Sequence, residues 1–216
     1  MSVTYTDSGN SKGIMEDKRI VKTKRALRQA LIELLADTPF EEITITNLCK
    51  TADISRITFY THYSDKYDLA DDIFKEMIAS GTELYNRLQQ SNNPGNDPVT
   101  SYCNVLDSIL DTYYNNFDFF HQTSPHRNYS LAFTFYHYVL ETVEMHARKE
   151  RNLLMPKYST RKVTGFLCLG LLGFINECHG ERSSLEQIRA ESKEILRGIL
   201  ESEILTKRGV IHRPET

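Results

Sequence analysis

Residues Thr44–Leu69 read TITNLCKTADISRITFYTHYSDKYDL, and the spacing predicts two short helices joined by a tight turn, then the start of a long one. Thr44 is placed to cap the first helix, its hydroxyl accepting an amide that has no partner inside the opening turn. Leu48 and Ala52 lie four apart and share a face. Asp53-Ile54-Ser55 interrupts the pattern. Asp enters the left-handed backbone region more readily than most residues, and Ser55 can cap the helix that follows. Ile54, Phe59 and Tyr63 anchor that second helix. Asp65 can cap a third, for which Leu69, Ile73 and Met77 supply a buried stripe. Two helices separated by a turn of about three or four residues form a helix-turn-helix, whose second member fits the DNA major groove. The residues left facing outward (Arg56, Thr58, Tyr60, Thr61, His62 and Lys66) suit that use.

Thr44, Leu48, Ala52, Ile54, Ser55, Thr58, Phe59, Tyr60, His62, Tyr63, Lys66 and Leu69 follow one another without a gap. Their order resembles the DNA-binding signature of TetR-type bacterial transcriptional repressors, and the resemblance runs from about Lys18 to Phe74. It implies an all-α fold: an N-terminal three-helix helix-turn-helix DNA-binding domain followed by a C-terminal helical bundle that dimerises. The expected partition is a disordered tail over 1–16, the DNA-binding domain over 17–74, and an effector-binding and dimerisation domain over 75–216. Two positions depart from the pattern. Asp53 stands where glycine is usual, which bears on the turn, and Ile57 stands where a small residue is common, which bears on recognition.

Side chains in the first turn of such a second helix reach base edges. Arg56 can take guanine O6 and N7 together, Ile57 can touch a thymine methyl, and Thr58 can do either. Tyr60, Thr61 and His62 face the same way and read as phosphate contacts, as does Lys66 at the start of the third helix. Thr44 and Thr46 open the first helix and are expected beside the same backbone. The expected DNA-binding set is Thr44, Thr46, Ser55, Arg56, Ile57, Thr58, Tyr60, Thr61, His62 and Lys66. Lys22, Lys24 and Arg25 either extend the footprint or form an ordinary solvated face.

A net charge of −3 does not advertise a nucleic-acid binder. The average hides an asymmetry, because residues 1–66 carry ten Lys or Arg against nine Asp or Glu, and the remainder carry sixteen against twenty. Lys18, Arg19, Lys22, Lys24, Arg25 and Arg28 form a run with no acid among them, and a local basic face is what phosphate binding needs. The four cysteines form no CxxC pair and lie at no metal-ligand spacing, so reduced thiols in a cytoplasmic protein are expected, with no metal and no cofactor. A Gly-rich phosphate loop, a nucleophile elbow and an HExxH helix are all missing from the sequence, which argues against an enzyme.

The rest of the chain also has helical spacing, broken by Ser91–Pro98 (SNNPGNDP) and by Met155-Pro156. Val163–Ile175, VTGFLCLGLLGFI, is the longest apolar run, and its thirteen residues are too few for a bilayer. A helix apolar on every side must be covered on every side. That helix and the amphipathic one after it, opened by a Ser184–Gln187 capping box, are therefore expected to build a homodimer. Gly165, Gly170 and Gly173 are expected where helices approach closely. This C-terminal stretch is also similar to a subgroup that includes dihydroxyacetone-kinase regulators. Eleven of the 22 Phe and Tyr residues lie between Tyr102 and Tyr138. Aromatic walls suit a small-molecule pocket, so Tyr102, Tyr113, Phe117, Phe120, Phe133 and His137 are the candidate contacts for an apolar or aromatic effector. A packed bundle core is the competing reading. The partners expected are double-stranded DNA with a palindromic operator, a second copy of the chain, and that effector, with no membrane. An effector-independent architectural DNA-binding protein is the alternative.

Overall fold

The computed structural model describes residues 18–122, 129–154, 157–181 and 183–202; the tail 1–17 and the C-terminal residues 203–216 lie outside the described residues. Among the described residues every element is helical: α1 (Lys18–Asp37), a single 3-10 turn (Phe40–Glu42), α2 (Ile45–Thr51), α3 (Arg56–His62), α4 (Lys66–Asn92), α5 (Pro98–Asn115), α6 (Phe117–Gln122), α7 (Tyr129–Leu154), α8 (Thr160–Gly180) and α9 (Leu185–Glu201). None of these helices is long and apolar enough to cross a membrane.

The starts of the elements follow from local chemistry. Thr44 accepts from the Asn47 amide, Ser55 from the Thr58 amide, Asp97 from the Thr100 amide, and Asp65 from the Tyr67 and Asp68 amides. Asp53 adopts φ 54° in the turn between α2 and α3, the left-handed conformation that its short polar side chain tolerates. The Ser184–Gln187 box closes on one side only. Ser184 accepts from the Gln187 amide, but the Gln187 side chain turns away to donate to Glu191 at 2.8 Å.

Two apolar clusters organise the chain. The first joins Leu27, Leu31 and Leu35 of α1 to Leu48, Phe59, Leu69, Ile73, Phe74, Phe119, Phe120 and Leu131. It therefore does not stop at α4, and the one-turn-and-a-half α6 seals the N-terminal helices to the bundle. The second joins Leu106 and Leu110 of α5 to Val163, Leu167 and Ile175 of α8 and Ile188, Leu196 and Leu200 of α9. Arg189 of α9 reinforces it by pairing with Asp107 at 2.7 Å and with Asp111 of α5.

Helix α8 has one face in that second cluster and one face bare. Phe166, Leu169 and Leu172 are 60%, 56% and 44% exposed. The expected close approach at Gly165, Gly170 and Gly173 is not made among the described residues, since a methyl group built on any of the three would meet nothing of them within 4 Å. The four cysteines are free, three of them buried.

Candidate nucleic-acid interface

Helix α3 is held by its apolar face and its ends, and its other face is open. Phe59 is fully buried, and Tyr63, which closes the helix, is 4% exposed. Ser55 Oγ accepts from the Thr58 amide at 3.1 Å, and the Ser55 and Thr58 hydroxyls share a hydrogen bond at 2.8 Å. Thr61 donates back to the Ile57 carbonyl at 3.0 Å. Ile57 is 84% exposed and Tyr60 50%, and Arg56 and Thr61 are exposed beside them. Thr58 and His62 are half-buried at the edge of this face. Thr44 and Thr46 are exposed at the start of α2, where Thr44 also bonds Asn47 through both its amide and its side chain.

A network behind α3 fixes its angle. Tyr63 donates its hydroxyl to Asp72 of α4 at 2.6 Å, and Arg28 of α1 donates to the same oxygen at 2.9 Å while pairing with Glu76 at 2.7 Å. Burial raises the pKa of Asp72, but the bonds from Tyr63 and Arg28 outweigh it and hold the carboxyl below its ordinary value. Burial and the same bond push the Tyr63 phenol up. The neighbouring Asp71 points the other way, accepting from Tyr138 of α7 and pairing with Lys75 at 2.6 Å. Adjacent carboxylates on α4 thus tie the helix to α3 and α1 on one side and to α7 on the other. Single-sequence reasoning missed this pair of ties, because partners 44 and 67 residues away leave no local signal.

The Lys66 expectation is revised. Its ammonium donates to the carbonyls of Phe40, Glu41 and Ile43 at 2.7, 2.8 and 2.9 Å. It also lies 4.8 Å from the centre of the Phe40 ring. All three of its protons are committed, so the side chain is a strut between the loop that launches α2 and the start of α4. Burial lowers its pKa, against the opposing charge of Glu41.

The six effector candidates are not gathered into one cavity. Phe120 stacks on Tyr113 at 5.1 Å and meets Phe135 at 4.5 Å, inside the first apolar cluster. Phe117 packs beside Tyr114, and Tyr102 lies against the second cluster. Phe133 is 56% exposed, and His137 pairs on the surface with Glu141 at 3.0 Å. His126, in the middle of the same aromatic stretch, lies outside the described residues. A cleft does exist, one layer further from α3. It is narrow, open along one side, and lined from α4 (Met77, Ile78, Gly81, Thr82, Tyr85), α5 (Val105, Ser108, Ile109, Thr112) and α7 (Phe135, Val139, Thr142, Val143, His146).

This geometry has solved counterparts. A protein of Syntrophomonas wolfei str. Goettingen assigned to the TetR family of transcriptional regulators superposes with a TM-score of 0.71, covering 85% of this chain and 97% of its own, at 8% identity. The fold is that of the TetR-family regulators. The dihydroxyacetone kinase operon activator DhaS superposes with a TM-score of 0.51 over 87% of this chain and 99% of its own, at 18% identity. In sequence, an uncharacterised helix-turn-helix-type transcriptional regulator of Bacillus subtilis (strain 168), YxbF, is 32% identical over 79 residues, which is 36% of this chain. The match spans a fifth of that relative's length. No family model matches the chain.

Proposed function

We propose that the chain is a one-component transcriptional regulator that binds a palindromic operator as a homodimer and releases or retains it in response to a small effector. What carries the reading is α3, a capped and rigidly braced helix that offers Arg56, Ile57 and Tyr60 to the outside. The set Thr44, Thr46, Ser55, Arg56, Ile57, Thr58, Tyr60, Thr61 and His62 then divides by chemistry. Arg56 and Ile57 read bases, Tyr60 and His62 touch phosphates, and Thr44 and Ser55 act mainly by fixing the helices that carry the others. The bare apolar face of α8 supports dimerisation, since a partner's helices would cover Phe166, Leu169 and Leu172 and use the space beside Gly170 and Gly173.

The cleft between α4, α5 and α7 supports the effector half of the reading. It shares α4 with the brace on α3, so a molecule that parts α4 from α7 acts on the Tyr138–Asp71 tie and changes the spacing of two recognition helices. Such a ligand shifts the balance of conformers only by its differential affinity for them. Repression is the simplest outcome, because a bound dimer occludes its site. The alternative, an architectural protein without an effector, leaves the cleft unexplained.

Selection of bound fragments from genomic DNA by the purified protein, followed by gel shifts, tests the reading. Arg56→Ala is expected to weaken the selected site by about 1–3 kcal/mol and to relax preference at one base pair in each half-site. Equal affinity of the unaltered protein for selected and random DNA would overturn it.

A further inference from the structure

We propose that the cleft between α4, α5 and α7 takes a slender, uncharged aliphatic molecule bearing one hydrogen-bond donor, such as an alcohol, and rejects the matching carboxylate. This rests on the effector reading above and adds the chemistry of the ligand.

The walls decide the class. Among the described residues that line the cleft there is no Lys, Arg, Asp or Glu. Four hydroxyls do line it, and each has given its proton to its own helix. Thr82 donates to the Ile78 carbonyl at 2.8 Å, Ser108 to Val105 at 2.8 Å, Thr112 to Ser108 at 2.7 Å and Thr142 to Tyr138 at 2.9 Å. A hydroxyl whose proton is committed offers only its lone pairs. The fifth, on Tyr85, is taken up with Ser101 at 2.9 Å. The four wall hydroxyls therefore accept and do not give. An ionised carboxylate also only accepts, and here it would face oxygens with no cation to offset its lost hydration. An ammonium would find acceptors but no counter-charge.

One acceptor is singled out. A methyl group built on Gly81 would lie 2.9 Å from Thr112 Oγ1. The missing side chain at 81 lets α4 and α5 close on each other at that point, and Thr112, an acceptor on the α5 wall beside this contact, is the anchor assigned to a ligand donor. Apolar side chains from all three helices, among them Ile78, Ile109 and Val139, supply the remaining contact. The cavity is only about 40 Å³, a narrow slot that suits a single chain rather than fused rings. His146, whose ring lies 4.5 Å from that of Tyr85, is the one wall residue that could become cationic, so the test is run where an ordinary imidazole is neutral.

Calorimetric titration of the full chain at about pH 8 with 1-octanol, octanoate and octylammonium compares three head groups on one tail. The expected result is saturable binding of octanol, one per chain, with both charged probes weaker by about a hundredfold. Thr112→Val should weaken octanol roughly fivefold, and Val139→Phe, which fills the cleft, should abolish its binding. Thr142→Leu serves the same end if Val139→Phe does not fold. Octanoate binding as tightly as octanol, octanol binding that survives both filled clefts, or no binding of any probe would each overturn the proposal. Gel shifts with the selected operator separate this from the broader reading. Octanol that binds as expected but leaves operator affinity unchanged supports the cleft chemistry and overturns the effector role. Release by octanoate alone does the reverse.

Discussion

Helices α4 and α7 meet twice, and the two meetings differ. Near α3 they close on a solid aromatic joint of Phe74, Phe119, Phe120 and Phe135, with ring centres 4.5–5.6 Å apart. One layer away the same helices leave the cleft lined by Ile78, Ile109, Thr142 and their neighbours. Rings fill space in rigid blocks with two rotatable bonds each. Aliphatic and hydroxyl side chains at the second meeting leave a gap. Aromatic density in the chain therefore marks the place where the N-terminal helices are bolted to the bundle, whereas the cleft, with Tyr85, Phe135 and His146 as its rings, is walled mostly by aliphatic and hydroxyl side chains. In the proposed function, the joint would transmit a movement of α4 that begins at the cleft.

The contrast breaks most readily by deletion. Phe74→Ala empties the joint at a fully buried site and should cost about 3–5 kcal/mol of stability, with operator binding lost alongside. Ile109→Val trims the half-buried cleft wall and should cost less than about 1.5 kcal/mol. Comparable losses in chemical denaturation of the two variants would erase the distinction.

Lys66→Met sharpens it on the reading side. Removing the strut takes the ammonium away from the Phe40, Glu41 and Ile43 carbonyls, so the melting temperature and operator affinity should both fall. The slope of log affinity against log salt should stay as in the unaltered protein. A phosphate contact at Lys66 would instead reduce that slope by about 0.9.

Asp72→Asn probes the brace through pH. The folded carboxyl sits below its ordinary pKa, so its stabilisation is fully present above the unfolded value of about 3.9. It is lost as pH falls through the folded value. The unaltered protein should exceed Asp72→Asn in stability at neutral pH, and the gap should narrow below about pH 4. A gap that stays constant down to pH 2 would show that the charge at 72 contributes nothing.

What could be read from the sequence was what neighbours along the chain decide. Thr44, Ser55 and Asp65 cap because a side-chain oxygen reaches an amide two or three residues on, and Asp53 takes the left-handed turn by the same local logic. The short elements at Phe40–Glu42 and Phe117–Gln122 are too brief to show a period. Lys66 at a helix start looks like a phosphate ligand until the loop 23–26 residues earlier folds its carbonyls over it. The cleft has no signature at all, because it is what three helices fail to fill. The outward face of α3 sits between these cases. Its composition was plain in the sequence, and its fixed angle depends on Arg28, Tyr63 and Asp72 meeting across the chain.

Hydroxyl-radical footprinting of a selected operator tests the central claim, that two copies of α3 read one DNA face, most directly. Two protected patches should lie on the same side of the duplex, with centres about 34–36 Å apart or a multiple of that. Arg56→Ala should thin both patches equally. A single patch, or even protection along the whole fragment, would contradict the account.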